Sequence, residues 1–88
     1  MNANLVLLAK SGKQKVFEVP GSVTIIGRRH NCDIRIPLES VSRRHCELVC
    51  GEDQWVIRDL GSRNGTLING HKVKDEETVS AGDFIQIG

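Results

Sequence analysis

The chain has 88 residues, a formal net charge of +1 and a hydrophobic fraction of 39%. That length supports one domain with a single modest core, and that composition fits a folded chain rather than a disordered one. With no run of about 18 apolar residues and no basic-then-apolar leader, neither a membrane span nor a secretion signal is expected.

In chain order, the predicted elements are short and rich in β-branched residues. Leu5 to Lys10, Val16 to Val19, Val23 to Arg28 and Ile34 to Ile36 come first, with turn signals at Ser11-Gly12 and Pro20-Gly21. Cys46 to Cys50 and Trp55 to Leu60 follow, separated by Gly51-Glu52-Asp53. Thr66 to Asn69 lies between Asn64-Gly65 and Asn69-Gly70, and Phe84 to Ile87 follows Ala81-Gly82. Asn69-Gly70 predicts a hairpin, because a type I′ turn needs positive φ at both central positions. No window of ten or more residues keeps apolar spacing at i, i+3, i+4 and i+7, so no long helix is expected. The pattern reads as all-β, an antiparallel sandwich or barrel with no internal repeat or linker. Its core should rest on Ile, Val and Leu, with Trp55 as the largest member.

Three cysteines, Cys32, Cys46 and Cys50, cannot all pair, which fits a reducing cytoplasm. Cys46 and Cys50 stand four apart on one strand, on the same face and about 13 Å from each other. They are expected to be buried small hydrophobes rather than partners in a disulfide or metal site. No Cys-x-x-Cys or His-x-x-x-His pair joins His30, Cys32, Asp33, His45 or Cys46, so no metal or other cofactor is expected. Ser42, His45 and Asp59 are the residue types of a catalytic triad, but no nucleophile elbow accompanies them and no catalytic residue is assigned.

All seven arginines (28, 29, 35, 43, 44, 58 and 63) fall in the middle of the chain, and all five lysines (10, 13, 15, 72 and 74) outside it. Arginine presents a planar fork of donors that suits phosphate, whereas lysine is a hydrated point charge. The same stretch holds Asp33, Glu39, Glu47, Glu52, Asp53 and Asp59, so the positive charge is spotted rather than a field. Nucleic acid needs a field, and a single phosphate does not.

Three loops carry such spots: Gly27-Arg28, Ser42-Arg43-Arg44-His45, and Ser62-Arg63-Asn64-Gly65-Thr66. Brought to one end, they would form a pocket for a dianion beside an extended peptide. A phosphothreonine carries roughly −1.5 to −2 charge and three acceptor oxygens, so its binder needs several convergent donors. Arg28, leaving a strand at Gly27, can give a charge-assisted contact, or it is an exposed strand-end arginine. Ser42 can donate its hydroxyl, or it is a turn serine bonded to its own backbone. Asn64 can satisfy both an N–H and a C=O of a peptide, or it is a turn residue chosen for positive φ.

Gly27-Arg28, then Ser42-x-x-His45 fourteen residues after Arg28, then Asp59-Leu60-x-Ser62-x-Asn64-Gly65-Thr66-x-x-Asn69-Gly70 resembles the forkhead-associated (FHA) domain. The likeness runs from about Leu5 to Gly88, and the ordered set is far more specific than any single motif. It implies an antiparallel β-sandwich of the FHA/SMAD type, with about ten to eleven short strands and binding loops at one end. It also implies a phosphothreonine-dependent peptide-binding module that recruits phosphorylated partners in kinase signalling, not an enzyme. By the same resemblance Arg28, Ser42 and Arg43 bind phosphate and Asn64 holds the peptide backbone. Arg63 and Ser40 are candidates for specificity, and Gly27, His45, Gly65, Asn69 and Gly70 support the loops.

The alternative is a scaffold domain that binds a partner without phosphate. Nucleic acid and membrane contact are not expected, and the location is read as cytoplasmic, or nuclear in a eukaryote. The chain, 1–88, is read as one domain excised from a longer protein, with the family's last strand absent or incomplete beyond Ile85-Gln86-Ile87-Gly88. A missing strand would leave the Leu5–Leu8 edge open, favouring a weak dimer through it.

Overall fold

A computed structural model describes residues 4–8, 14–18, 22–52, 54–80 and 82–87, and within 4–18 Val16 is the one side chain described. The turns expected at Ser11-Gly12 and Pro20-Gly21, together with Lys10, Val19, Asp53, Ala81 and Gly88, lie outside the described residues. The described residues form ten strands and no helix. These are β1 (Asn4–Leu8), β2 (Gln14–Glu18), β3 (Val23–Gly27), β4 (Ile34–Arg35), β5 (Cys46–Cys50), β6 (Trp55–Asp59), β7 (Thr66–Ile68), β8 (His71–Lys72), β9 (Glu76–Val79) and β10 (Ile85–Ile87).

They build two five-stranded sheets, ordered β2-β1-β10-β7-β8 and β4-β3-β5-β6-β9. Pairing is antiparallel except for β1 with β10 and β3 with β4. The open Leu5–Leu8 edge expected from the sequence is covered in part. β1 pairs along its whole length with β2, and on its other side β10 pairs in parallel with Leu7 and Leu8, leaving Leu5 and Val6 without a ladder partner there among the described residues. The outer strands of that sheet are β2 and β8.

Alternation sorts each strand into a core face and an outer face. In β3, Thr24 and Ile26 point inward while Val23 is exposed, and in β5 Cys46 and Leu48 point inward. Ile34 and Ile57 belong to the same layer, Ile68, Ile85 and Ile87 supply the facing one, and Val41 and Val73 add to the core from outside the strands. Trp55, expected to be the largest core member, is only partly buried and packs against the core's rim. It opens β6 opposite Cys50, at the end of the ladder away from Asp59. Burial pushes the Cys46 thiol up to about 12, so it packs as a small apolar group. All three cysteines are free.

Two strands escape the sequence reading, β8 and β9, because both are polar. His71 and Lys72 are exposed, and β9 is Glu-Glu-Thr-Val on a sheet edge. The hairpin between β7 and β8 turns at Asn69 (φ 48°) and Gly70 (φ 90°), with Ile68 opposite His71, as a two-residue turn with both φ positive requires.

Leu48 is fully buried in the central strand of its sheet, so Leu48→Ala leaves a cavity between the layers. The expected loss is about 2–5 kcal/mol, measured by urea unfolding.

Candidate functional site

The three polar loops converge at one end, and the contact that joins the first two is a close backbone approach. A Cβ on Gly27 would stand 2.3 Å from the Arg43 carbonyl oxygen and 2.9 Å from its carbon. Only glycine lets the 42–44 segment lie so near the end of β3. The two stretches are then laced by backbone bonds, Arg28 N–H to Ser42 C=O at 3.0 Å and Arg29 N–H to Arg43 C=O at 3.2 Å. His45 N–H continues the series to Ile26 C=O at 2.9 Å.

His45 joins the second loop to the third. Its side chain is fully buried. Nδ1 accepts the Ser42 N–H at 3.1 Å, and Nε2 lies 2.7 Å from the Gly65 carbonyl. An N–H at Nδ1 would oppose the Ser42 donor, and a carbonyl can only accept. These partners therefore require the neutral tautomer with hydrogen on Nε2. Burial lowers the His45 pKa, against smaller opposing effects of the Gly65 carbonyl and the Asp59 charge. Both ring nitrogens are committed, so the ring has no free position for base chemistry.

Asp59 holds the third loop, a role the sequence reading misses. Its carboxylate accepts from the Gly61 and Ser62 N–H groups at 3.1 and 3.0 Å, from the Ser62 hydroxyl, and from the Thr66 hydroxyl at 2.8 Å. Burial pushes its carboxyl up, but these four donors together hold it below its ordinary value. Asp59-Leu60-Gly61-Ser62, an aspartate followed at two and three residues by turn-formers, is the signal in the sequence that could have found it.

The donors assigned from sequence stand on this frame. Arg28 is exposed, and its Nε–H donates to Val41 C=O at 3.0 Å, which tethers the fork and leaves its terminal nitrogens without a partner among the described residues. Ser42 Oγ accepts the Arg63 N–H at 2.9 Å, so its own hydroxyl hydrogen is available to a ligand. Asn64 Nδ2–H donates to Ser40 C=O at 2.6 Å, leaving Oδ1 as an acceptor. Asn64 is not a positive-φ residue; that conformation falls to Gly65 (φ 85°), so the turn alone does not explain the asparagine. Ser40 thus enters through its carbonyl, and the Arg43 and Arg63 side chains are exposed beside the cleft.

Asn69 and Gly70 make the β7–β8 turn at the far end of β7 from Gly65, away from the three loops. There Asn69 Nδ2–H donates to Asp83 at 2.9 Å and its Oδ1 accepts the Phe84 N–H at 3.0 Å. Among the described arginines, only Arg58 pairs with carboxylates, Glu47 at 3.1 Å and Glu76 at 3.9 Å. The site's guanidiniums are therefore uncompensated by described acids.

A profile of the FHA domain matches residues 24–88. The chain belongs to the FHA domain family. The FHA domain is 34% identical over 87 residues to the mouse proliferation marker protein Ki-67, covering 98% of this chain and 3% of that protein. It is 40% identical over 72 residues to the oxoglutarate dehydrogenase inhibitor of Corynebacterium jeikeium, covering 82% of this chain and 49% of that one. The chain thus spans less than half the length of either relative. Among solved structures, Mycobacterium tuberculosis EmbR in complex with a low-affinity phosphopeptide superposes with a TM-score of 0.80 at 30% identity, covering 91% of this chain and 24% of that one. No helix of the described residues is long and apolar enough to cross a membrane.

Two outcomes are expected from this geometry. Gly27→Ala forces the Arg43 carbonyl away, costing about 1–3 kcal/mol in urea unfolding and shifting the backbone amide signals of residues 42–45. His45 produces a pH dependence whose sign follows from its lowered pKa. The unfolded histidine takes up a proton near pH 6.5 and the folded one only below that, so stability is level above about pH 7 and falls as the pH drops through about 6.5. The slope is at most about 1.4 kcal/mol per pH unit, and His45→Gln, though less stable overall, loses that part of the slope.

Proposed function

We propose that this FHA domain binds phosphothreonine-containing segments of partner proteins, with Arg28, Ser42 and Arg43 on the phosphate and Asn64 on the peptide backbone. The observation that carries this is the Ser42 hydroxyl. Its oxygen accepts the Arg63 N–H and His45 accepts its backbone N–H, so the hydroxyl is held at the loop junction with its proton free to donate to an acceptor such as a phosphate oxygen. The tethered Arg28 fork adds charge-assisted donors beside it. Asn64 Oδ1 can then take an N–H of the adjacent extended segment.

A phosphopeptide-bound FHA structure, that of EmbR, shares the fold over 91% of this chain, which supports the same ligand class here. The role is recruitment of phosphorylated partners in kinase signalling, not catalysis, because the one buried histidine at the site is spent on scaffold bonds. Selectivity for threonine over serine would rest on one buried γ-methyl, a term of about 1 kcal/mol. Arg63 and Ser40 flank the path of the segment and are proposed to set preferences beyond the phosphate.

Calorimetric titration with one peptide carrying Thr, phosphothreonine or phosphoserine tests this. The phosphothreonine form should bind best, phosphoserine several-fold more weakly and unmodified threonine not measurably. Arg28→Ala and Ser42→Ala should each cost about 1.5–3 kcal/mol of binding. Equal affinity for the unmodified peptide would instead assign the domain to phosphate-independent binding.

A further inference from the structure

We propose that this domain holds a second anion subsite, formed by Arg29, Asn31 and Arg44 over Ile25, which takes another phosphorylated or carboxylate side chain of the same phosphothreonine partner. The proposal rests on the phosphothreonine reading above and extends it to a second charge on the ligand.

An open pocket of about 220 Å³ is lined by Ile25, Arg29, Asn31, Cys32 and Arg44. Thr24 and Ile26 are buried, so the intervening Ile25 faces the outer surface of its sheet, and the pocket lies there rather than between the layers. Its wall is tied to the phosphate loop at one atom. The Arg43 carbonyl accepts both the Arg29 N–H at 3.2 Å and the Cys32 thiol at 3.2 Å. Arg43 flanks Ser42 on the phosphate side, and the next residue, Arg44, lines the pocket. One short segment therefore presents donors to two places.

The charge balance points to an anion. Neither Arg29 nor Arg44 pairs with a carboxylate among the described residues. Of the two acids beside the pocket one is ion-paired and the other, Asp33, is bonded to the backbone and keeps its charge, so two guanidiniums face one uncompensated carboxylate. Asp33 Oδ2 accepts the Ile25 N–H at 2.8 Å, and Glu47, opposite Ile25 in the β3–β5 ladder, is held by Arg58 at 3.1 Å. Two guanidinium forks and a neutral amide around an aliphatic floor suit a planar or tetrahedral oxyanion on an apolar stem. A cation would meet the same groups as repulsion.

The test uses a phosphothreonine peptide of otherwise uncharged residues, with one glutamate, one second phosphothreonine or one lysine walked through each position on both sides. At low salt, at least one position should tighten binding about three- to tenfold with either anion and weaken it with lysine, and the gain should shrink as salt is raised. A larger gain from phosphothreonine than from glutamate identifies a phosphoryl group as the ligand, and equal gains identify a carboxylate. Arg29→Gln/Arg44→Gln should erase the gain while leaving affinity for the singly phosphorylated peptide within about twofold and the melting temperature unchanged. No gain at any position, or a gain that survives in the double variant, overturns the second subsite. Failure of the singly phosphorylated peptide to bind the wild-type domain overturns the phosphothreonine reading itself, so the two failures are distinguishable.

Discussion

The approach of the Arg43 carbonyl to the α-carbon of Gly27 governs this end of the molecule. Because no side chain intervenes, the 42–44 segment can lace onto the end of β3 through the Arg28 and Arg29 amides. That lacing fixes the Ser42 backbone, which in turn places its N–H on His45 and its hydroxyl under the Arg63 amide. His45 then passes the constraint to Gly65 and the third loop. Three segments distant in sequence behave as one surface because each is hydrogen-bonded to the next.

The electrostatics follow from how this surface is braced. The buried polar work is done by groups that carry no net charge, or whose charge is met locally. His45 is neutral between two backbone partners, and Asp59 is satisfied by four donors of its own loop. The arginines of the loops are left exposed, and the only ion-paired arginine among the described residues, Arg58, sits away from the loops on β6. With His45 and Asp59 each satisfied by local hydrogen bonds beneath and unpaired cations above, an arriving dianion replaces water and repulsion, with no salt bridge among the described residues to break.

How much of this is legible in the sequence depends on the range of the interaction. Strands with apolar alternation, such as β3, β5 and β10, announce themselves, and Asn69-Gly70 names its own turn. β8 and β9 do not, since edge strands with exposed charged residues lack the alternation that burial imposes. The cover that β10 gives β1 is missed from sequence because strand order within a sheet is a tertiary fact, and this parallel partner lies almost the whole chain away. At the site, residue types are readable and their partners are not. Gly27 reads as a strand-end glycine, but the reason for it is a carbonyl sixteen residues on. Arg29 and Arg44 look ordinary in sequence until the lacing of 28–29 onto 42–43 sets them around one pocket.

The same lacing explains why affinity here should depend on order more than on area. Exposed arginines lose rotamer freedom when they clamp a ligand, and each such loss offsets part of the attraction that the clamp supplies. Arg28 has already given up part of that freedom through its bond to Val41, and the Ser42 side-chain oxygen is tied to the Arg63 amide before any ligand arrives. Protonating His45 undoes this from beneath, since Nδ1 can then no longer accept the Ser42 N–H. The bracing of Ser42, and not the charge above it, is what the proton would alter. Stability of the loops and readiness of the site are therefore linked through a histidine whose two ring nitrogens are both committed to the backbone.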